Sequence, residues 1–377
     1  MNRLPATCLS TVIVPAYNAR DTIGACIESL LGQTRRPDEV IVVDDCSRDD
    51  TAQVALKYGV KVIKLENNSG PGVARNAGAA AATGEVLAFT DSDCVAPPDW
   101  LERIVGALDA PGVVAATGGY AGPVQDGFLT RLQHLIIRQR QSALPPEIDS
   151  IITSNFACLK GAFESVGGFP LYYFKRDPTK PIWGNEDEEL GFLLARAGGK
   201  IRWMSEIGVL HRFRLSLTGY LRQQRFYAER IIVSHFRFPE MVKSRTNYSR
   251  LNGALHLGSI LGVSLGMLAL LAWLAGLGNL QWVAAGLLGI SAPMYLLLPI
   301  PALLGLRRQG QDGNFIAKAY VVLLLVDIAW LSGAVSGVVL SSKGFTNGNR
   351  ESGAAFAAAD QQKRAAAASD ILRHRPL

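Results

Sequence analysis

Gly84-Glu85-Val86-Leu87-Ala88-Phe89-Thr90-Asp91-Ser92-Asp93-Cys94 is an apolar run that stops abruptly at two aspartates. Uninterrupted apolar residues from Val86 to Phe89 predict a strand buried on both faces, as in a parallel sheet covered by helices. Asp91 and Asp93 would stand just past its carboxyl end, where open α/β sheets place their ligands. If the chain stays extended there, carboxylates two residues apart point the same way and can share one cation. A hard divalent ion such as Mg²⁺ or Mn²⁺ suits such oxygens and leaves room for those of a diphosphate. Asp-Ser-Asp is equally ordinary turn chemistry, because both residue types bond their own backbone.

Outward from this stretch, strand and helix signals alternate. Leu9 to Val14, Val40 to Val43 and Val60 to Leu65 read as further strands, and Asp21 to Leu31, Thr51 to Tyr58 and Pro71 to Ala82 as helices. Repeated strand-helix-strand units imply a doubly wound parallel sheet with right-handed crossovers. Each strand ends in something polar: Pro15, Ala16, Tyr17 and Asn18 after the first, Asp44 and Asp45 after the second. A carboxylate there can accept from a base or ribose, or cap the next helix, and Tyr17 can stack on a base.

Asn68-Ser69-Gly70-Pro71-Gly72 leads into a helix whose exposed start favours a phosphate. Arg75, early in that helix, can pair with phosphate or with Asp93, or sit on the surface. The loop is neither a Walker A sequence nor G-x-G-x-x-G, and Pro15 to Asn18 lacks the glycine-rich first turn of a nicotinamide enzyme.

The 377 residues carry a formal charge of +6 and are 49% hydrophobic, with the apolar excess concentrated after about Leu255. That charge fits an anionic lipid surface or a phosphorylated substrate, and no nucleic-acid-reading motif accompanies it. Cys8, Cys26, Cys46, Cys94 and Cys158 form no C-x-x-C pair, which argues for reduced thiols rather than a zinc site. The first residues have too short an apolar core for a signal peptide, so the soluble part is expected on the cytosolic side.

VIVPAYNARDTIGACIESLLGQT, VIVVDDCSRDDT and GPGVARNAGAAAATGEVLAFTDSD, in that order, resemble the nucleotide-sugar half of the family 2 glycosyltransferases, over roughly Leu9 to His211. The resemblance implies an α/β GT-A fold, a doubly wound mixed sheet with a Rossmann-like nucleotide-binding half. It also implies that Pro15, Tyr17, Asn18 and Asp44 hold the nucleoside, Arg75 the nucleotide region, and Asp91 and Asp93 a diphosphate-bound Mg or Mn ion. In Ile151 to Gly168, Asn155 would face the donor sugar or acceptor, or else cap a turn. Gly184 to Gly198, GNEDEELGFLLARAG, starts a helix that Asn185 can cap. Its acids suit a helix start without any function. By resemblance, Asp187 is the base that takes the acceptor proton, and Glu186 orients donor or acceptor. His211 completes the metal site in some relatives, or is an interface histidine between basic neighbours. A binding protein without turnover has no physical need of Asp91, Asp93, Glu186 and Asp187 together.

Phe128 to Ser142 reads as an amphipathic helix with Arg131, Arg138 and Arg140 on its polar side. Tyr220 to Arg250 is basic and amphipathic, and reads as lying on the cytoplasmic leaflet. Leu255 to Leu277, Trp282 to Leu306 and Ala319 to Leu340 are long enough to cross a bilayer, with Gly258, Gly262 and Gly266 suited to close helix packing and Pro293, Pro299 and Pro301 to kinks. The expected layout is a catalytic domain over 1–215, a juxtamembrane segment over 216–250, about three spans over 251–341 and a flexible tail over 342–377. The protein is then expected to be a multi-pass protein of the inner (plasma) membrane, its catalytic domain cytoplasmic. Its partners would be a nucleotide sugar and a lipid-linked or glycan acceptor. Three crossings keep Arg307, Arg308 and Lys318 inside but leave the basic tail, with Lys343, Arg350, Lys363 and Arg364, outside.

Overall fold

A computed structural model describes residues 8–174, 177–182, 184–243, 250–342 and 345–347. In chain order these form β1 (Ser10–Ala16), α1 (Ile23–Leu31), β2 (Glu39–Asp44), α2 (Thr51–Leu56), β3 (Lys61–Lys64), α3 (Pro71–Ala81), β4 (Val86–Phe89), β5 (Cys94–Val95), α4 (Trp100–Gly106) and β6 (Val113–Pro123). Then come α5 (Phe128–Gln141), β7 (Glu147–Ile148), β8 (Phe156–Leu159), α6 (Lys160–Ser165), β9 (Tyr172–Phe174), β10 (Asp177–Ile182), α7 (Glu186–Arg196) and β11 (Lys200–His211). The rest is helical, α8 (Leu217–Arg237), α9 (Arg250–Leu274), α10 (Gln281–Leu297), α11 (Ile300–Arg308) and α12 (Gly313–Ser341), except for β12 (Phe345–Asn347). Two compact units result, one from the chain up to Ala116 with Ile151–Lys200 and Phe345–Asn347, the other from Thr117–Ser150 and Ile201–Ser342.

In the first unit the strand order is β3-β2-β1-β4-β8. The first three neighbour pairs are parallel and β4 meets β8 antiparallel, so the sheet is mixed. Val12, Ile13, Val14, Ile41, Val42, Val43, Val86, Leu87 and Phe89 have no exposed surface, as helix-covered strands require. Phe89 stacks on Phe156 of β8 at 5.6 Å and meets Phe169 edge-on at 5.4 Å. The parallel strands β1, β2 and β4 bring their carboxyl ends to one edge. Pro15 and Ala16 prove to be the last residues of β1, paired with Val43 and Asp44, not the start of a loop. Within the expected flexible tail, Phe345–Asn347 pair with β9, while Lys343, Arg350, Lys363 and Arg364 lie outside the described residues.

In the second unit β7 pairs with β11, and α5 turns Leu129, Leu132, Leu135 and Ile136 into an apolar cluster with Tyr220, Leu306, Ala319, Val322 and Val326. α8 is not a helix lying alone on a leaflet. It runs along α12 in the same direction, with Trp330 Nε1 donating to Gln224 Oε1 (3.0 Å), Arg225 Nε to Ser332 Oγ (3.1 Å) and Ser336 Oγ to Glu229 Oε2. Gly333 and Gly337 allow this approach, because a Cβ on Gly333 would stand 2.1 Å from the Arg225 carbonyl oxygen. Residues 244–249, the last part of the expected juxtamembrane segment, lie outside the described residues.

Among the described residues two stretches, not three, are long and apolar enough to cross a membrane: Gln281–Arg308 and Gly313–Ser341. The apolar part of α9, Gly258–Leu274, is shorter. Gly262 and Gly266 do pack closely, against Ser291 and Leu288 of α10, but a Cβ on Gly258 would meet nothing within 4 Å among the described residues. Pro293 lies inside α10, whereas Pro299 falls where α10 ends and α11 begins.

Candidate active site

The centre of the first unit is Arg75. α3 presents it inward, where it is 4% exposed, and its Nη2 donates to Asp91 Oδ1 at 2.8 Å and its Nη1 to Glu186 Oε1 at 3.1 Å. One guanidinium thus ties the end of β4 to the start of α7. Arg75 is therefore neither a surface residue nor a partner of Asp93. A planar fork with five donors can serve two carboxylates at once, which an ammonium cannot do as well. Burial disfavours its charge, but Asp91 and Glu186 outweigh that and raise its pKa. Phe169 lies beneath the guanidinium, 5.4 Å from ring centre to Cζ. Asn76, the next residue of α3, fixes that ring by donating to the Phe169 carbonyl and accepting from its N–H, both at 2.9 Å.

Glu186 is pinned on its other oxygen by Gly184 N at 2.8 Å. Asn185 occupies the capping position of α7 with left-handed backbone (φ 68°), and its side chain makes no cap hydrogen bond, contrary to the expected capping role. Asp187, half-buried beside Glu186, accepts from Glu188 N at 2.9 Å. Burial first, and the Glu186 charge second, push its carboxyl up to about 6.

Asp91 to Cys94 does not stay extended. Cys94 N donates to the Asp91 carbonyl at 3.0 Å and closes a turn, so the alternation argument for Asp91 and Asp93 fails. Their chemistry still suits a hard cation. Asp91 gives one oxygen to Arg75, no hydrogen bond reaches the other among the described residues, and Asp93 is only half-buried. Asp91, Glu186 and Asp187 set three carboxylates around one guanidinium among the described residues, a balance that a divalent ion would correct. His211 ends β11 in the second unit, its ring 4.8 Å from that of Tyr120 and 4.7 Å from that of Phe213.

At the ends of β1 and β2 two loops are knitted together. Asn18 N donates to Ser47 Oγ and its Oδ1 accepts from Arg48 N, both at 2.9 Å, with Asn18 in the left-handed region at φ 49°. Asp44, buried, accepts from Ser47 N at 3.1 Å, which is turn chemistry. Tyr17 remains 43% exposed and able to stack. Asp45, which the sequence marks only as a neighbour, accepts from Ser69 N and Gly70 N at 2.8 Å, so these two amides at the entry to α3 are already engaged. Asn155 is completely buried and accepts from Trp100 Nε1 at 2.8 Å, so it packs α4 against β8 instead of facing an open donor site. Trp100→Phe should cost about 1–3 kcal/mol in urea unfolding, because it removes the donor to a buried acceptor.

Residues 11–167 match the model of the glycosyl transferase family 2 domain, described as "Glycosyl transferase family 2". The chain is 39% identical to the succinoglycan biosynthesis protein ExoO of Rhizobium meliloti over 163 residues, 41% of this chain and 47% of that one. It is 29% identical to the pre-mycofactocin glycosyltransferase of Mycobacterium tuberculosis over 229 residues, 58% of this chain and 45% of that one. The matched regions thus span about half the length of these curated relatives. Among solved structures, the mannosyltransferase PcManGT from Pyrobaculum calidifontis, in complex with GDP-Man and Mn²⁺, superposes with a TM-score of 0.57 over 89% of each chain at 20% identity. Residues 11–167 are therefore similar to a glycosyl transferase family 2 domain, and the chain has the GT-A fold.

Proposed function

We propose that the protein is a membrane-anchored, metal-dependent, inverting glycosyltransferase that moves a sugar from a nucleotide-diphosphate sugar to a hydroxyl in the synthesis of a lipid-linked or cell-surface glycan. The Arg75 bridge between Asp91 and Glu186 supports this reading most, because it joins the acids proposed for the donor to the acids proposed for the acceptor. The ExoO relative, named for succinoglycan biosynthesis, favours a glycan product. The complex of PcManGT with GDP-Man and Mn²⁺ agrees with a nucleotide sugar and a divalent ion.

Asp91 and Asp93, with His211 as proposed third ligand, would hold Mg²⁺ or Mn²⁺. A bound ion of this kind neutralises the charge of a departing diphosphate. Pro15, Tyr17, Asn18 and Asp44 frame the nucleoside, with Tyr17 stacked on the base. Asp187, its pKa of about 6 close to neutral pH, takes the proton of the attacking hydroxyl, and Glu186 orients the reactants. A single base behind an in-line attack inverts the anomeric carbon. Asn155 is proposed only as support behind the site. The apolar stretches Gln281–Arg308 and Gly313–Ser341 anchor the chain in the inner membrane, with the catalytic domain on the cytoplasmic face. These same stretches favour a second reading, transfer to a polyprenyl phosphate, whose acceptor arrives ionised and needs no base.

Purified protein given Mn²⁺ and a panel of nucleotide sugars should release free nucleotide from one donor, and a chelator should stop it. Asp93→Asn should weaken Mn²⁺ binding about tenfold, read by electron paramagnetic resonance, because it removes a charged ligand. Nucleotide release that survives complete chelation would remove the ion from the reaction.

A further inference from the structure

The turn between α11 and α12 and the basic face of α5 surround a cavity of about 740 Å³, all of it in the second unit. Arg131 and Arg138 of α5 and Lys318 of α12 line it. None of the three forms an ion pair with a carboxylate among the described residues. Arg131 is steadied by the Phe315 ring, 5.8 Å from its Cζ. Two acids, Asp126 and Asp312, share the wall, and Asp312 is committed to capping α12 by accepting from Phe315 N at 2.7 Å. His134 faces the same space while only 8% exposed, and its buried Nδ1 has no hydrogen-bond partner among the described residues. Burial, then Arg138, lowers its pKa and keeps the ring neutral, with an N–H to offer. Cations without counter-ions around an unsatisfied buried imidazole are the chemistry of an anion site.

The place in the fold says which anion. One wall of the cavity is the polar turn that joins the two apolar stretches long enough to cross a bilayer. A pair of such helices entering a bilayer leaves its turn at the depth of the headgroups, where anionic lipids gather Lys and Arg. We propose that this cavity seats the phosphate of an anionic lipid headgroup, gripped by Arg131, Arg138 and Lys318 with a hydrogen bond from His134. The site shares no residue with the Arg75 centre, and it rests on the membrane reading of α10 to α12, not on sugar transfer.

Full-length protein in an uncharged detergent is titrated with dihexanoyl phosphatidylglycerol, dihexanoyl phosphatidylcholine or inorganic phosphate, and the thermal midpoint is followed. Phosphatidylglycerol should give a saturable rise. Half-saturation should move at least about tenfold in the Arg131→Gln/Arg138→Gln protein and in the same direction in Lys318→Gln, an exposed position safe for folding, but not in Arg202→Gln. An unchanged titration in the first two variants, or an equal response to phosphatidylcholine, overturns the site. Inorganic phosphate reproducing the rise at equal concentration assigns the cavity to free phosphate and overturns the lipid. Alkaline carbonate extraction of membranes reports separately on anchoring, and nucleotide release on sugar transfer.

Discussion

Asp187→Asn should lower sugar transfer to a hydroxyl acceptor roughly 100- to 10,000-fold, the usual contribution of a positioned general base. Asparagine keeps the shape and loses the proton acceptor. In the wild type the rate should climb with pH through about 6 and then level, because the base works only when ionised. Folding should show the opposite slope. Asp187 holds its proton more tightly in the folded chain than in the unfolded one, so its contribution favours the fold most below the ordinary carboxylate range near 3.8 and is lost as pH rises to about 6. Asp187→Asn should flatten that segment of the stability profile. A variant that keeps full rate with a hydroxyl acceptor would place the base elsewhere, and one that keeps it only with a polyprenyl phosphate would favour the second reading.

Arg75→Met should destabilise the first unit by about 3–5 kcal/mol in urea unfolding, since it strands the buried Glu186 and half of Asp91 without their counter-charge. The lower end is expected, because the Asp91 side chain keeps 28% of its surface and water will screen it. Arg75→Lys should recover little, for one ammonium cannot reproduce two directed bonds. Adding Glu186→Gln to Arg75→Met should recover part of the loss, and the coupling between the two sites would measure the bridge. Additive losses would mean that the distances of 2.8 and 3.1 Å carry no joint energy.

The strand-helix alternation up to Phe89 is legible in the sequence because buried parallel strands need unbroken apolar runs, and Val12 to Val14, Ile41 to Val43 and Val86 to Phe89 supply them. The partners of Arg75 are not legible. Its side chain reaches Glu186, 111 positions away, and nothing local distinguishes an arginine that bridges two acids from one that faces water. Asp91 to Cys94 misleads for the opposite reason: a hydrogen bond across four residues overrides an alternation that holds only in extended chain. Asn155 reads as facing the donor sugar or acceptor, or as capping a turn, and its burial is explained only by Trp100, 55 positions away. Asp45 could have been found, since an aspartate pair after a strand gives one side chain to its own turn and frees the other for a neighbouring loop. For α8 the charge pattern conceals the two glycines of α12 against which it lies.

Those glycines have a mechanical effect. With Gly333 and Gly337 set into the backbone of α8, neither helix can slide past the other by a residue without a steric collision. α8 follows directly on β11, whose last residue is His211, through the short link of residues 212–216. A tilt imposed on α12 by its surroundings is therefore passed to α8 without slippage, and only residues 212–216 separate α8 from the end of β11.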